Sequence, residues 1–245
     1  MQISERVYLV GSGRLGMQMT DPLDCNVFLL DGGSHWALID AGSGLASEEI
    51  VDNIEAHGVA MEQVKTLLLT HIHGDHAAGA AFFSENYGMQ VITAKEAEPW
   101  LTAGDTKKNS IDDAKKAGVY PKDFVFPACS VEQGVVEGDR IQVGDLTLQT
   151  IETPCHSRDH VSYLLEIGGE RCLFSGDVVF ADGKIVLQNT WDCSIQDYAE
   201  SVRKLHELQI DRLYPGHGAC LLSEARDHIQ TAHDIFAQLG IPANL

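Results

Sequence analysis

Thr70-His71-Ile72-His73-Gly74-Asp75-His76 sets three histidines and an aspartate almost side by side, directly after the apolar run Val64 to Leu69. An apolar run that short reads as a buried strand, which places the histidines at its carboxyl end, where α/β folds gather ligands. Neutral imidazoles bind zinc well, and a catalytic zinc keeps one position open for water. The single residue between His71 and His73 lets both imidazoles of an extended segment reach one ion. Asp75 and His76 fall where the chain turns and can face a second. Two such cations a few Å apart lower the pKa of a shared water and polarise a substrate carbonyl.

Four side chains do not complete two coordination shells, so further ligands are sought where other strands end. His156 in Thr153-Pro154-Cys155-His156-Ser157, Asp177 in Phe174-Ser175-Gly176-Asp177 and His217 in Tyr214-Pro215-Gly216-His217-Gly218 meet that condition. Each is flanked by Gly or Pro, as tight loops at a strand edge require.

Outward from these loops, the pattern predicts strands at Val7–Val10, Asn26–Leu30 and Trp36–Ile39, the last two joined by a turn at Asp31-Gly32-Gly33-Ser34. Ser47 caps a predicted helix running to Gly58, and a second helix covers Ala77 to Tyr87. A strand at Gln90–Thr93 precedes a polar, helix-leaning stretch, about 95–130, read as a surface insertion that either covers the site or merely connects. Strands return at Arg140–Val143, Leu146–Ile151, Val161–Ile167 and Arg171–Phe174. Ile195 to Leu208 is predicted helical, Leu213-Tyr214 a brief strand, and Ser223 to Leu239 a terminal helix. Both halves run strands first and then helix, and no linker divides them. One domain over residues 1–245, of α/β or α+β type, is the expectation.

Gly11-Ser12-Gly13-Arg14-Leu15-Gly16 matches the dinucleotide pattern GxGxxG and follows a strand, and Asp40 is available for a ribose hydroxyl. That pattern needs a helix opening at the glycines. Pro22 would interrupt such a helix within two turns, so a glycine-rich loop is the better reading.

Composition narrows the function classes. The formal net charge is -19, and no cluster of Lys and Arg stands out, which argues against nucleic acid as a partner. No apolar stretch approaches bilayer length, so no membrane partner is expected either. The opening Met-Gln-Ile-Ser-Glu-Arg lacks the basic start and apolar run of a secretory signal, and a cytoplasmic location is the expectation. Six scattered cysteines without a CxxC pair suggest reduced thiols rather than a disulfide scaffold.

From about Cys25 to His217 the sequence resembles the metallo-β-lactamase superfamily, and its hydroxyacylglutathione hydrolase (glyoxalase II) branch in particular. Leu29-Leu30 and Leu38-Ile39-Asp40-Ala41-Gly42 resemble the family's opening hairpin, and Thr70 to His76 its signature. Thr153 to His160 resembles the glyoxalase II pattern around the third histidine ligand, Ser175-Gly176-Asp177 the bridging aspartate, and Gly216-His217 the last ligand. The resemblance implies a four-layer αβ/βα sandwich with two metals at one edge. His71, His73 and His156 would hold the first metal, Asp75, His76 and His217 the second, and Asp177 both. Asp75 would also orient the attacking hydroxide.

Two departures qualify the branch. Glyoxalase II carries a C-terminal helical region that grips glutathione, whereas 28 residues follow His217 here. The family's lactonases place a Tyr soon after the bridging Asp, where this chain has Val178-Val179-Phe180. The expected activity is hydrolysis of a small ester-like bond, thioester or lactone, by a metal-bridged hydroxide. The expected cofactors are two zinc ions per chain, with iron or manganese as alternatives. The competing reading is a sulfur (persulfide) dioxygenase of the same fold, with one iron on two His and an Asp. His160 lies outside the ligand pattern and is either a support for the ligands or a packed structural residue. Cys155 reads as packing rather than as a nucleophile. Segments 95–130 and Gln188–Asp192 are expected to line or cover the pocket. Trp100, Trp191 and Phe180 are candidates to touch substrate, with ordinary packing as the alternative.

Overall fold

A computed structural model describes residues 1–245. One sheet has six strands in sequence order: β1 (Val7–Gly11), β2 (Val27–Asp31), β3 (Trp36–Ile39), β4 (Val64–Leu68), β5 (Gln90–Ala94) and β6 (Gln133–Val135). The other has five: β7 (Arg140–Val143), β8 (Leu146–Glu152), β9 (Val161–Ile167), β10 (Glu170–Gly176) and β11 (Arg212–Pro215), ordered β11-β10-β9-β8-β7. The turn at Asp31–Ser34 joins β2 and β3 as an antiparallel pair. From β3 onward the first sheet is parallel, so each connection must cross over. Helix α1 (Ser47–Glu55) makes the first crossover, α2 (Gly74–Ala77) and α3 (Ala80–Tyr87) the second, and α4 (Glu98–Ala103) and α5 (Ile111–Lys116) lie in the third. In the second sheet α6 (Ile195–Glu207) connects the parallel pair β10 and β11, and α7 (Ala225–Ala237) follows.

The sheets face each other across an aromatic seam. Phe28 of β2 meets Phe174 of β10 at 5.6 Å and Tyr214 of β11 at 5.7 Å between ring centroids. Strand β10 shows how a two-residue period serves two layers. Cys172 and Phe174 join the core between the sheets, while Leu173 points the other way, onto Tyr198, Val202, Leu205 and Ile229 of α6 and α7. A strand buried on both faces must be apolar throughout, which is why this part of the sequence shows no alternation. Ile50 and Ile54 of α1 and Phe83 of α3 cover the first sheet. No helix is long and apolar enough to cross a membrane.

Three local expectations are corrected. Ser47 is the first helical residue and Ala46 precedes it without a side-chain cap, so the start of α1 draws on Glu48 and Glu49 against the helix dipole. The helix expected from Ala77 is two pieces, α2 and α3, separated at Ala78-Gly79. Strand β6 was not legible, because Gln133-Gly134-Val135 carries one buried apolar side chain and pairs only through its backbone. The glycine-rich stretch at 11–16 opens no helix. It folds back as a loop, with Gly13 N–H donating to Asp24 O at 3.0 Å and Gly218 N–H to Leu15 O at 2.7 Å.

Phe174→Ala should expose how much the seam contributes. Phe174 is fully buried and stacks on Tyr214 at 5.0 Å, so truncation leaves a cavity that two sheets cannot close. The expected loss is about 3–5 kcal/mol in urea unfolding; a loss below about 1 kcal/mol would contradict the packing described.

Candidate metal centre

Four loops carry the ligand-type residues to one edge of the two sheets. His71 and His73 follow β4, and Asp75 and His76 lie in α2. His156 follows β8, Asp177 follows β10 and His217 follows β11. All seven residues expected from the sequence converge. Three overlapping groups each bring their ligand atoms within 4.8 Å of one another: His71, His73 and His156; His71, His76 and Asp177; Asp75, His76 and His217. Gly216 is needed for this closeness, since a Cβ there would lie 2.2 Å from Asp177 Oδ1 and 2.6 Å from His76 Cε1.

The outward-facing ring nitrogens fix the tautomers. Thr70 Oγ1 gives its proton to Asp40 Oδ2 at 2.9 Å, so it must accept from His71 Nδ1–H at 3.1 Å. His76 Nδ1–H donates to Asp40 Oδ2 at 2.9 Å, and His156 Nδ1–H to the Val186 carbonyl at 2.8 Å. His73 Nε2–H donates to Asp192 Oδ2 at 3.0 Å. Burial works against the Asp192 carboxylate, but His73, Ser110 and Thr190 hold it ionised, at about 2. With these outward bonds made, His71, His73, His76 and His156 can each turn a lone pair inward, the arrangement that metal-bound histidines show. His73 Nδ1 and His156 Nε2 face each other at 2.9 Å with both protons already committed outward. His71 Nε2, His76 Nε2 and Asp177 Oδ1 are buried with no hydrogen-bond partner. Orphaned buried acceptors are costly unless something positive answers them, and this donor set of imidazoles and carboxylates fits divalent zinc.

Electrostatics divide the cluster: against burial, Cys25, Asp177, Asp40 and Asp75 raise His76 well above the ordinary imidazole value and Asp192 raises His73, whereas His156 and His71 are lowered. Burial, reinforced by His73, drives His156 down to about 4, so it stays neutral. Burial also lowers His71 well below the ordinary imidazole value. At His217 burial is outweighed by Asp177 and Asp75, which hold the ring at about 9. The two carboxylates thus pull positive charge into the cluster, as they would pull a cation. Asp75 is the member of the set most open to solvent, with a side chain 20% exposed. Its Oδ2 lies 3.1 Å from His217 Nε2, and its Oδ1 accepts from Tyr120 O–H at 2.7 Å.

His160 stands outside the groups of ligand-type residues. It accepts from Asp177 N–H at 3.0 Å, shares a hydrogen bond with Thr153 at 2.9 Å and stacks on His71 at 4.9 Å between centroids. Asp159, overlooked in the sequence, accepts from Ile72 N–H at 3.0 Å and so holds the signature loop. Asp40 has a left-handed φ of +61°, a strained position in which one carboxylate takes Thr70 N–H, Thr70 O–H and His76 Nδ1–H. Its place at the end of β3 was legible, but its role was not. The sequence placed Tyr120 and Asp192 only within segments expected near the pocket, and gave no sign of their bonds to Asp75 and His73.

A cleft of about 500 Å3 opens over the cluster. Its walls include Arg14 and Leu15 from the glycine-rich loop, Ser110 and Tyr120 from the 95–130 segment, and Gln188 and Asn189. The aromatic candidates lie elsewhere. Phe180 is buried, and Trp191 packs edge-on against Trp100 at 5.9 Å with Lys108 Nζ 4.6 Å above its ring. Cys155 is buried and burial raises its thiol well above the ordinary range.

The profile of the metallo-beta-lactamase superfamily matches residues 20–217. The chain is 27% identical over 224 residues to an atrochrysone carboxyl ACP thioesterase of Aspergillus fumigatus, covering 89% of this chain and 58% of that one. A hydroxyacylglutathione hydrolase of Rhodopseudomonas palustris is 32% identical over 153 residues, 62% of this chain and 47% of that one. This chain spans about half the length of such curated relatives. Among solved structures, BJP-1, a subclass B3 metallo-beta-lactamase of Bradyrhizobium japonicum, superposes with a TM-score of 0.75 at 25% identity, over 98% of this chain and 91% of that one. Its two facing sheets and a profile match running from the loop before β2 to His217 establish that the chain belongs to the metallo-β-lactamase superfamily.

Proposed function

We propose that the chain is a zinc-dependent hydrolase of thioester-like substrates that works with two metal ions. The observation that carries this reading is the facing pair His73 Nδ1 and His156 Nε2, whose other nitrogens are already committed as donors. His71, His73 and His156 would hold one ion, Asp75, His76 and His217 the other, and Asp177 would contact both. When bound, such ions supply a water of lowered pKa and polarise a carbonyl. Asp75, open to the cleft, would also orient the attacking water. The outer bonds to Asp40, Asp192 and Val186 O keep the imidazoles from turning as charge moves. A thioester is favoured over a lactone by the relatives named as a thioesterase and as a hydroxyacylglutathione hydrolase. Seven convergent ligand-type residues, more than the three of an iron facial triad, favour hydrolysis over persulfide oxidation.

The test is hydrolysis of a panel of acyl thioesters and lactones by the full chain, with and without chelator. Thioester cleavage that stops with chelator and returns with zinc is expected. Oxygen uptake with a persulfide, supported by iron and without any ester cleavage, would replace this reading. Cys155→Ser should keep activity within about threefold, because a buried, protonated thiol is inert. Complete loss with metal retained would point to a thiol nucleophile instead.

A further inference from the structure

The crossover from β5 to β6 is far longer than a parallel connection needs, and it does more than wall the cleft. Tyr120 makes two hydrogen bonds with one residue: its hydroxyl accepts from Asp75 N–H at 3.0 Å and donates to Asp75 Oδ1 at 2.7 Å. The ring is stacked on Phe124 at 4.5 Å and 14°. Gly74 leaves room for both rings, since a Cβ there would lie 2.9 Å from the Phe124 ring and 3.1 Å from Tyr120 Cζ. With Oδ1 engaged, Oδ2 is the oxygen turned to His217 Nε2 at 3.1 Å and His76 Nε2 at 3.8 Å.

The same crossover reaches the other group through Ser110. Ser110 is buried, and its hydroxyl donates to Asp192 Oδ1 at 2.7 Å, while Asp192 Oδ2 takes His73 Nε2–H at 3.0 Å. One crossover therefore touches Asp75 of the Asp75–His76–His217 group directly and reaches His73 of the His71–His73–His156 group through Asp192. Its far side is fastened as well: Trp191 Nε1–H donates to Lys107 O at 3.0 Å, and Lys108 sits over the Trp100 and Trp191 rings.

We propose that the segment from Glu98 to Phe126 is a positioning strap for the metal ligands. Tyr120 fixes which oxygen of Asp75 faces the second ion, and Ser110, through Asp192, fixes the ring of His73 for the first. This rests on the reading of His73 and Asp75 as ligands. Outer supports of this kind typically change metal affinity about 10- to 100-fold when removed.

The test is a stepwise zinc titration of the metal-free full chain against a chromophoric competitor, for the wild type, Tyr120→Phe and Ser110→Ala. Tyr120→Phe keeps the stacked ring and should weaken one binding step about tenfold or more, leaving the other within about twofold. Ser110→Ala should weaken the opposite step, leaving the first within about twofold. Metal-free melting temperatures of all variants should match the wild type. Both steps unchanged, both variants weakening the same step, or affinity falling together with metal-free stability would each overturn the strap. A wild type that binds two ions beside an indistinguishable Tyr120→Phe overturns the strap alone. A wild type that binds none overturns the metal reading and the strap together.

Discussion

Asp177→Asn should lower kcat/KM for a thioester by about a thousandfold or more, near 4 kcal/mol of transition-state stabilisation, and should cost at least one bound ion. Asp177 sits between the two groups: Oδ1 is 3.5 Å from His76 Nε2, and Oδ2 is 3.5 Å from His156 Nε2 and 3.4 Å from His217 Nε2. Its main chain is held independently, with N–H donating to His160 and the carbonyl accepting from Tyr198 O–H at 3.0 Å. Asn fits that frame at the same volume, so the fold should survive. What goes is the charge, and with it the one residue proposed to contact both ions. Elemental analysis and steady-state kinetics on one preparation check this. Two ions retained with wild-type turnover would remove Asp177 from the centre.

Stripping metal with a chelator should lower the melting temperature by about 5–15 °C, and zinc should restore it. A ligand present at 100 to 1,000 times its Kd stabilises the native state by about 2.7–4.1 kcal/mol. For a chain of this size each kcal/mol moves the midpoint by about 2–4 °C. The physical cause lies in the orphaned acceptors His71 Nε2, His76 Nε2 and Asp177 Oδ1, which sit without partners. The scaffold around them (the seam of Phe28, Phe174 and Tyr214) is independent of metal, so the metal-free chain should still unfold cooperatively. An unchanged midpoint after verified metal removal would contradict the described role of the cluster.

The parts of this molecule legible in the sequence are those where local chemistry and global placement coincide. Val64 to Leu69 and its histidines could be read directly, because a buried strand and a metal-ligand run each leave a strong local pattern. His156, Asp177 and His217 were legible one at a time, as ligand types at strand ends. Their convergence depends on two sheets facing each other, which no short stretch encodes. Strand β6 escaped because its pairing uses backbone groups alone. The supports escaped for a related reason. Tyr120 lies 45 residues from Asp75 in sequence and Asp192 lies 119 from His73, and neither stands in a pattern that separates it from an ordinary Tyr or Asp. The glycine-rich loop shows the converse. It matched a known pattern, yet it builds a wall of the cleft beside His217 and holds no helix. Trp191 and Trp100, for which the sequence left substrate contact and ordinary packing both open, fasten the crossover to the loop after β10.

Metal content per chain decides whether the cluster holds two ions. Elemental mass spectrometry of protein purified without added metal or chelator, normalised to chain concentration, is expected to give about two zinc ions per chain. No bound metal, or a single iron with little zinc, would contradict the two-metal hydrolase.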